Sequence, residues 1–502
     1  MAEGGKGIVA AGHPLTAQAG ARVLREGGNA VDATVAAMLT SFAAEPLLTG
    51  LGAGGYMLVA GGGQEPALLD FFVQAPSDPR GDLAAARPVA ELQPVDVSFG
   101  DAAQVFHIGP ASCGAYGAPA GVCEAAARWG TVPLAQLAAP AAQLAREGVA
   151  LNHGQAYVAE ILAGLLVSTP ECAALWAPDG RVLREGEVLR NSELGDALER
   201  LGADGAKPFY RGDIATAVCE WLGERGGWLS ASDLAGYRAI EREPVRMPYR
   251  DREVLTNPPP NAGGTLLAYA LALLDRGPAP PSLRAVVEAM RAAQQERTPD
   301  FLEGLSEERF LERFLTTRLG STTHISVIDA DGRACSATST NGEGSGVVVP
   351  GTGIHLNNVM GEEDLNPFGF HLHPAGRRMP SMMAPTIVMR DGEVELVLGS
   401  AGSNRIRSAI LQTIVGSVDR DLDAQAAVAA PRVHFEAGVV YAEPGIELSG
   451  LDELDDLGGE ALELVEFSDI NLFFGGVQAV RSHDGVLTGA GDPRRGGVAV
   501  SA

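Results

Sequence analysis

Residues 324–340, HISVIDADGRACSATST, read as strand, tight turn and strand, and no other stretch constrains the fold as firmly. Both arms alternate and carry β-branched residues. A turn centred on Ala330–Asp331 or Asp331–Gly332 makes the numbers of facing residues add to about 661–663, which sets residues 339–341 opposite Thr322. A second hydroxyl, that of Thr340, is therefore expected beside the first.

A threonine hydroxyl is a weak nucleophile while nothing takes its proton. If the peptide bond between Ser321 and Thr322 is cut, the freed α-amine of Thr322, with a pKa of roughly 7.7–8.0, becomes a base on the same residue. Thr340 would then orient and acidify the Thr322 hydroxyl. On this stretch alone, an ordinary strand edge built from Thr322, Thr323 and Thr340 is the favoured reading.

The chain has 502 residues, 46% hydrophobic and 20% charged, which implies a large buried core. Lys and Arg number 37 against 63 Asp and Glu, a net charge of −26, so nucleic acid and anionic membranes would be repelled. A small-molecule substrate is expected instead. Five scattered cysteines, Cys113, Cys123, Cys172, Cys219 and Cys335, argue against a disulfide framework. With no signal pattern and no long apolar window, a cytoplasmic location is expected.

Along the chain, residues 14–45 predict two helices broken at Gly27–Gly28, followed by the hairpin YMLVA and PALLDFF. The segment GLGAGG (Gly50, Gly52, Gly55) has the count of a dinucleotide fingerprint, but a strand follows where a helix is needed. No nucleotide site is expected there. Residues 122–148 and 153–166 predict helices, and Ser230 or Ser232 a cap for the turn around Asp233–Tyr237. Residues 275–320 read as a more exposed, charged helical segment, and β signals dominate after Thr322.

Eight blocks in order carry a resemblance: HPLTAQAGARVLREGGNAVDATVAA, EPLLTGLGAGGYMLV, FYRGDIA, LTNPPPNAGGT, TTHISVIDADG, GTGIHLNN, SMMAPTIV and GSAGSNR. Together they resemble the γ-glutamyltransferase (γ-glutamyltranspeptidase) family of N-terminal-nucleophile hydrolases. The resemblance implies an α+β fold, an αββα sandwich of two facing, largely antiparallel sheets covered by helices. It also implies self-cleavage between Ser321 and Thr322, giving a large segment 1–321 and a small segment 322–502 that form one intertwined catalytic domain. The two segments would assemble as a heterodimer, with further dimerisation left open. No cofactor and no metal is implied.

In the family pattern, the first Thr of TTH is the nucleophile, here Thr322, and its hydrogen-bonded partner threonine is Thr340. The oxyanion hole falls on the backbone N–H groups of Gly402 and Ser403, since SAGSNR stands where the family has S-P-G-G-S-R. The acyl pocket departs from the pattern. Phe72 in DFFVQAP occupies the place of the arginine that grips a substrate carboxylate, and an apolar ring cannot form that pair. Val359 stands for a glutamine, Glu362 for an aspartate, Pro380 for the first of two serines with Ser381 kept, and Asn341 for an asparagine in a loop two residues shorter. A pocket so changed should reject the family's substrate.

The resulting expectation is an autoprocessed N-terminal-threonine hydrolase or acyltransferase with a less polar acyl pocket. Alternatives on the same residues are a C–C bond hydrolase of a secondary-metabolite pathway to 4-alkyl-proline units, a glutaryl-type amide acylase, and an inactive scaffold. His371 and His373 have metal-like spacing without accompanying ligands. His324 alternates with the strand, and packing beneath the nucleophile is one reading of it, its role being left open. Glu362, Glu363 and Asp364 are either a solvated loop or a holder of a substrate amine. Arg405 and Arg407 are either carboxylate binders or surface charge at a helix start.

Overall fold

The computed structural model describes residues 5–78, 90–98, 103–295, 322–366, 369–402, 405–436, 438–448 and 463–502. Strands β1 (Gly7–Ala11), β2 (Gly54–Gly61), β3 (Gln64–Phe71), β4 (Ile240–Arg242), β5 (Val245–Tyr249) and β6 (Arg252–Thr256) precede Thr322. After it come β7 (Thr323–Asp329), β8 (Ala334–Thr340), β9 (Thr386–Arg390), β10 (Glu393–Ala401), β11 (Gly476–His483), β12 (Val486–Gly491) and β13 (Val498–Ser501). They form a seven-stranded sheet, β13-β1-β7-β8-β2-β3-β4, and a six-stranded sheet, β12-β11-β10-β9-β6-β5. Every neighbouring pair in both is antiparallel. Each sheet therefore mixes strands from both sides of Thr322.

Alternation along β7 decides which layer each side chain enters. Ile325 and Val327 join a core with Val9, Met57 and the helices α1 (Pro14–Arg25) and α2 (Ala30–Ala44). Ile328 instead joins Ile8, Leu58, Ile387 and Val397 between the sheets. On the outer face of the second sheet, helices α3 (Ala262–Asp275), α4 (Leu283–Gln295) and α5 (Arg405–Asp419) close a further core over Leu396 and Leu398. Helix, sheet, sheet and helix thus stack in the expected αββα order. Full burial of each such side chain stabilises the fold by about 1.5–3 kcal/mol.

Local expectations are met with adjustments. The helical hairpin breaks at Gly27, whose φ of +97 suits only glycine, and Asn29 caps α2 with a reciprocal bond from Asp32. The predicted helix over 122–148 is two helices, Ala118–Trp129 and Leu134–Glu147, because Gly130 and Pro133 interrupt it. Ser230, not Ser232, is the cap, with Asp233 completing the box. The predicted segment 275–320 is described only to residue 295, where α4 ends. Among the described residues, no helix is long and apolar enough to cross a membrane.

Candidate active site

Thr323 faces Ser339 and His324 faces Thr338, so facing numbers add to 662 and the turn is the three-residue loop Ala330, Asp331, Gly332. This register falls between the two turn placements considered from sequence. It sets Thr322, one residue before β7, opposite Thr340, the last of β8. Both are buried, and Thr322 Oγ1 is sealed from solvent with no hydrogen-bond partner among the described residues. Thr340 Oγ1 accepts from the Gly342 amide at 2.8 Å.

Directly after Thr340, the Asn341 main chain is pinned by Leu48 O, which accepts its N–H at 3.0 Å, and by the Asn358 N–H at 3.1 Å. Its side-chain amide is wholly buried, yet neither polar atom has a partner among the described residues. A buried polar group left so costs about 1–3 kcal/mol, which a polar ligand group would recover. Gly342, at φ +65, leaves room for this cluster: a Cβ there would lie 2.2 Å from both Asn358 Oδ1 and Glu362 Oε1. Glu362 is itself buried, whereas Glu363 is exposed.

The second sheet brings its own groups to this end. Ser336 Oγ donates to Leu398 O at 3.0 Å, and the His324 ring fills the space above Gly399, where a Cβ would come within 2.3 Å of Cε1. Rising numbers in β8 and β10 therefore run together, which carries Gly402, just past β10, to the Thr322 end. Gly402 holds φ +121, a conformation for glycine, and its O accepts from the Arg405 N–H at 3.1 Å. Ser403 and Ser321 lie outside the described residues. His324 packs as expected, its Nδ1 2.7 Å from Thr338 Oγ1 and its Nε2 2.9 Å from Ser326 Oγ. Burial pushes its pKa down to about 3, so the ring is neutral and serves packing.

On the acyl side, Phe72 follows β3 and stacks on Tyr56 at 5.7 Å. Phe72 and Val359 are fully buried in the same inter-sheet apolar cluster, with Met360, Met379 and Met383. Arg378 does approach, but its guanidinium is committed to Phe72 O and to Asp70, which also pairs with Arg242 at 2.8 Å. Ser381 Oγ accepts from the Met383 N–H at 3.1 Å, and Pro380 is half-buried.

The remaining sequence candidates resolve to packing roles. His371 stacks on Trp228 at 4.1 Å, and His373 Nε2 sits 3.1 Å from Leu365 O. Among the described residues, no group of three or more His, Cys, Asp or Glu is placed to hold a metal ion. Arg405 lies over the Phe473 ring at 4.6 Å, and Arg407 lines a gap among the outer helices with Leu266 and Met290. In GLGAGG, a Cβ on Gly52 or Gly55 would lie 2.3 Å from His355 O or Thr338 O, so the glycines serve close backbone approach.

Two residues escaped the sequence reading. Glu45, at the end of α2, is buried and accepts from Thr16 and Thr323, at 2.7 and 2.8 Å; burial raises its pKa. Arg495 places Nη2 3.2 Å from the Cβ position of Gly402. Neither sits in a local pattern that marks it, since each acts on residues distant in sequence.

A sandwich with a buried hydroxyl pair at one end defines the class, and comparison with known proteins gives the family. The gamma-glutamyltranspeptidase family profile matches residues 16–502, and the chain belongs to that family. It is an enzyme of the N-terminal-nucleophile hydrolase type. The acylase ACY 1 proenzyme of Pseudomonas sp. (strain SE83) is 31% identical over 543 residues, covering 100% of this chain and 94% of that protein. The glutathione hydrolase proenzyme of Escherichia coli (strain K12) is 30% identical over 546 residues, covering 97% and 90%. Among solved structures, cephalosporin acylase from Bacillus halodurans superposes with a TM-score of 0.81 at 25% identity, covering 99% of this chain and 96% of that one.

Proposed function

We propose that the chain matures by cutting itself before Thr322 and then hydrolyses or transfers the acyl group of a small amide through an ester on Thr322. In maturation, Thr322 Oγ attacks the carbonyl of Ser321 and the acyl group shifts from nitrogen to Oγ, which frees the Thr322 amine; water then cleaves that ester, giving the Ser321 carboxylate and restoring the Thr322 hydroxyl. In turnover, that amine takes the Oγ proton as Oγ attacks the substrate carbonyl. The N–H groups of Gly402 and Ser403 receive the oxyanion, a contribution of about 2.7–4 kcal/mol per donor in comparable sites. The proton passes to the departing amine, and water or a second amine releases the acyl group.

The observation that carries this reading is the buried Thr322 hydroxyl, without a hydrogen-bond partner among the described residues and set opposite Thr340. For the acyl group, Phe72 and Val359 in one apolar cluster favour an acylase acting on a less polar chain over a γ-glutamyl specialist. Asn341 and Glu362 are assigned to its polar end, and Ser381 and Pro380 to its wall. The name acylase carried by one relative agrees with this choice. The test compares 4-nitroanilides of γ-glutamate, glutarate and hexanoate with the matured protein. Hexanoyl turnover exceeding both glutaryl and γ-glutamyl turnover at least tenfold supports the reading, and either carboxylated chain ahead of hexanoyl refutes the pocket assignment.

A further inference from the structure

A chamber of about 70 Å³ opens beside the candidate active site, walled by Leu47, Leu48, Leu151, Val158 and Trp176, with Arg495 among its lining residues. Strand order fixes the side on which Arg495 stands. Within the first sheet, β13 and β1 flank β7 on one side, while β8, β2 and β3 flank it on the other. Arg495 precedes β13 by three residues and Phe72 follows β3, so Thr322 stands between them. Arg495, at one end of the chamber, and Phe72 therefore lie on opposite sides of the nucleophile.

Arg495 is a cation without a counter-ion among the described residues. Its Nη2 donates to Leu472 O at 3.2 Å, and its Nε is sealed from solvent with no hydrogen-bond partner among the described residues. Asp492 is already committed to Arg432 at 2.7 Å and Arg494 at 3.2 Å. Burial, then the nearby charge of Arg405, pushes the Arg495 pKa down to about 10, which still leaves it protonated at neutral pH. A guanidinium held this way is matched by a carboxylate.

We propose that Arg495 receives a carboxylate carried by the amine half of the substrate, whose apolar body fills the chamber beside it. The substrate class is thus an amide whose leaving amine bears both an apolar body and a carboxylate. This rests on the threonine reading above for the direction of departure.

The test uses matured wild-type protein and Arg495→Gln, with Arg495→Lys as the conservative variant. Two measurements are made. Equilibrium binding of 5-amino-2-nitrobenzoate is compared with that of 4-nitroaniline, and turnover of the matching 3-carboxy-4-nitroanilide is compared with that of the plain 4-nitroanilide. The proposal expects the carboxylated amine to bind the wild type at least tenfold more tightly, that preference to collapse in Arg495→Gln, and Arg495→Lys to recover part of it. The same ratio should appear in kcat/KM, mainly through KM. Equal binding of both amines by the wild type, or an undiminished preference in Arg495→Gln, would overturn it. Because the binding arm reads the chamber whether or not an amide is cut, failure of the threonine reading gives a separate result.

Discussion

Thr323 Oγ1 donates to Glu45 Oε2 at 2.8 Å across 278 residues of sequence, tying the residue after the candidate nucleophile to the end of α2. Thr16 holds the other carboxylate oxygen. Glu45→Ala would strand two buried hydroxyls, at about 1–3 kcal/mol each. A lowered urea midpoint and slower conversion to two chains are expected, with Glu45→Gln milder because its amide still pairs with both. An unchanged midpoint in Glu45→Ala would show that this tie contributes nothing.

Gly52 and Gly50 separate packing from site geometry. A Cβ on Gly52 meets main-chain atoms of His355 and Leu356, which cannot give way, so Gly52→Ala should cost about 1–3 kcal/mol or more. On Gly50 the nearest atom is the Asn341 amide nitrogen at 3.3 Å, so Gly50→Ala should leave the melting temperature nearly unchanged and disturb turnover instead. Neither ATP nor NAD should raise the melting temperature of the wild type.

The pairing of Thr340 with Thr322 was readable because a hairpin couples residues close in sequence: the turn placed after HISVID set the two opposite each other. The glycine loop was readable for the same reason, since strand order around it excludes a helix N-terminus. Glu45 and Arg495 were invisible because their meaning comes from Thr323 and Gly402, brought near by sheet closure. The split at Gly130 was missed because Ala-rich periodicity continues on both sides of it.

Phe72 fills the space between the sheets. Phe72→Ala should cost about 3–5 kcal/mol, read as a lower urea midpoint, and should shift acyl preference toward bulkier chains. A variant equally stable, with unchanged acyl preference, would remove Phe72 from the pocket wall.

His324 stays neutral in the fold down to about pH 3, whereas the unfolded residue titrates near its ordinary value of 6.5. Between those values the unfolded state binds the extra proton, so stability is present above pH 6.5 and is lost as pH falls. The slope approaches about 1.4 kcal/mol per pH unit for this residue. His13 and His355 act with the same sign and Glu45 with the opposite one, and all three cancel when wild type is compared with His324→Gln. Urea midpoints from pH 7 to 5 should fall more steeply in the wild type; parallel curves would contradict the buried neutral ring.

The most direct test is intact mass measured on protein that is turning over an amide substrate. The account predicts two chains, the lighter beginning at Thr322, and a single inactive chain for Thr322→Ala. Full activity in one unbroken polypeptide would contradict it.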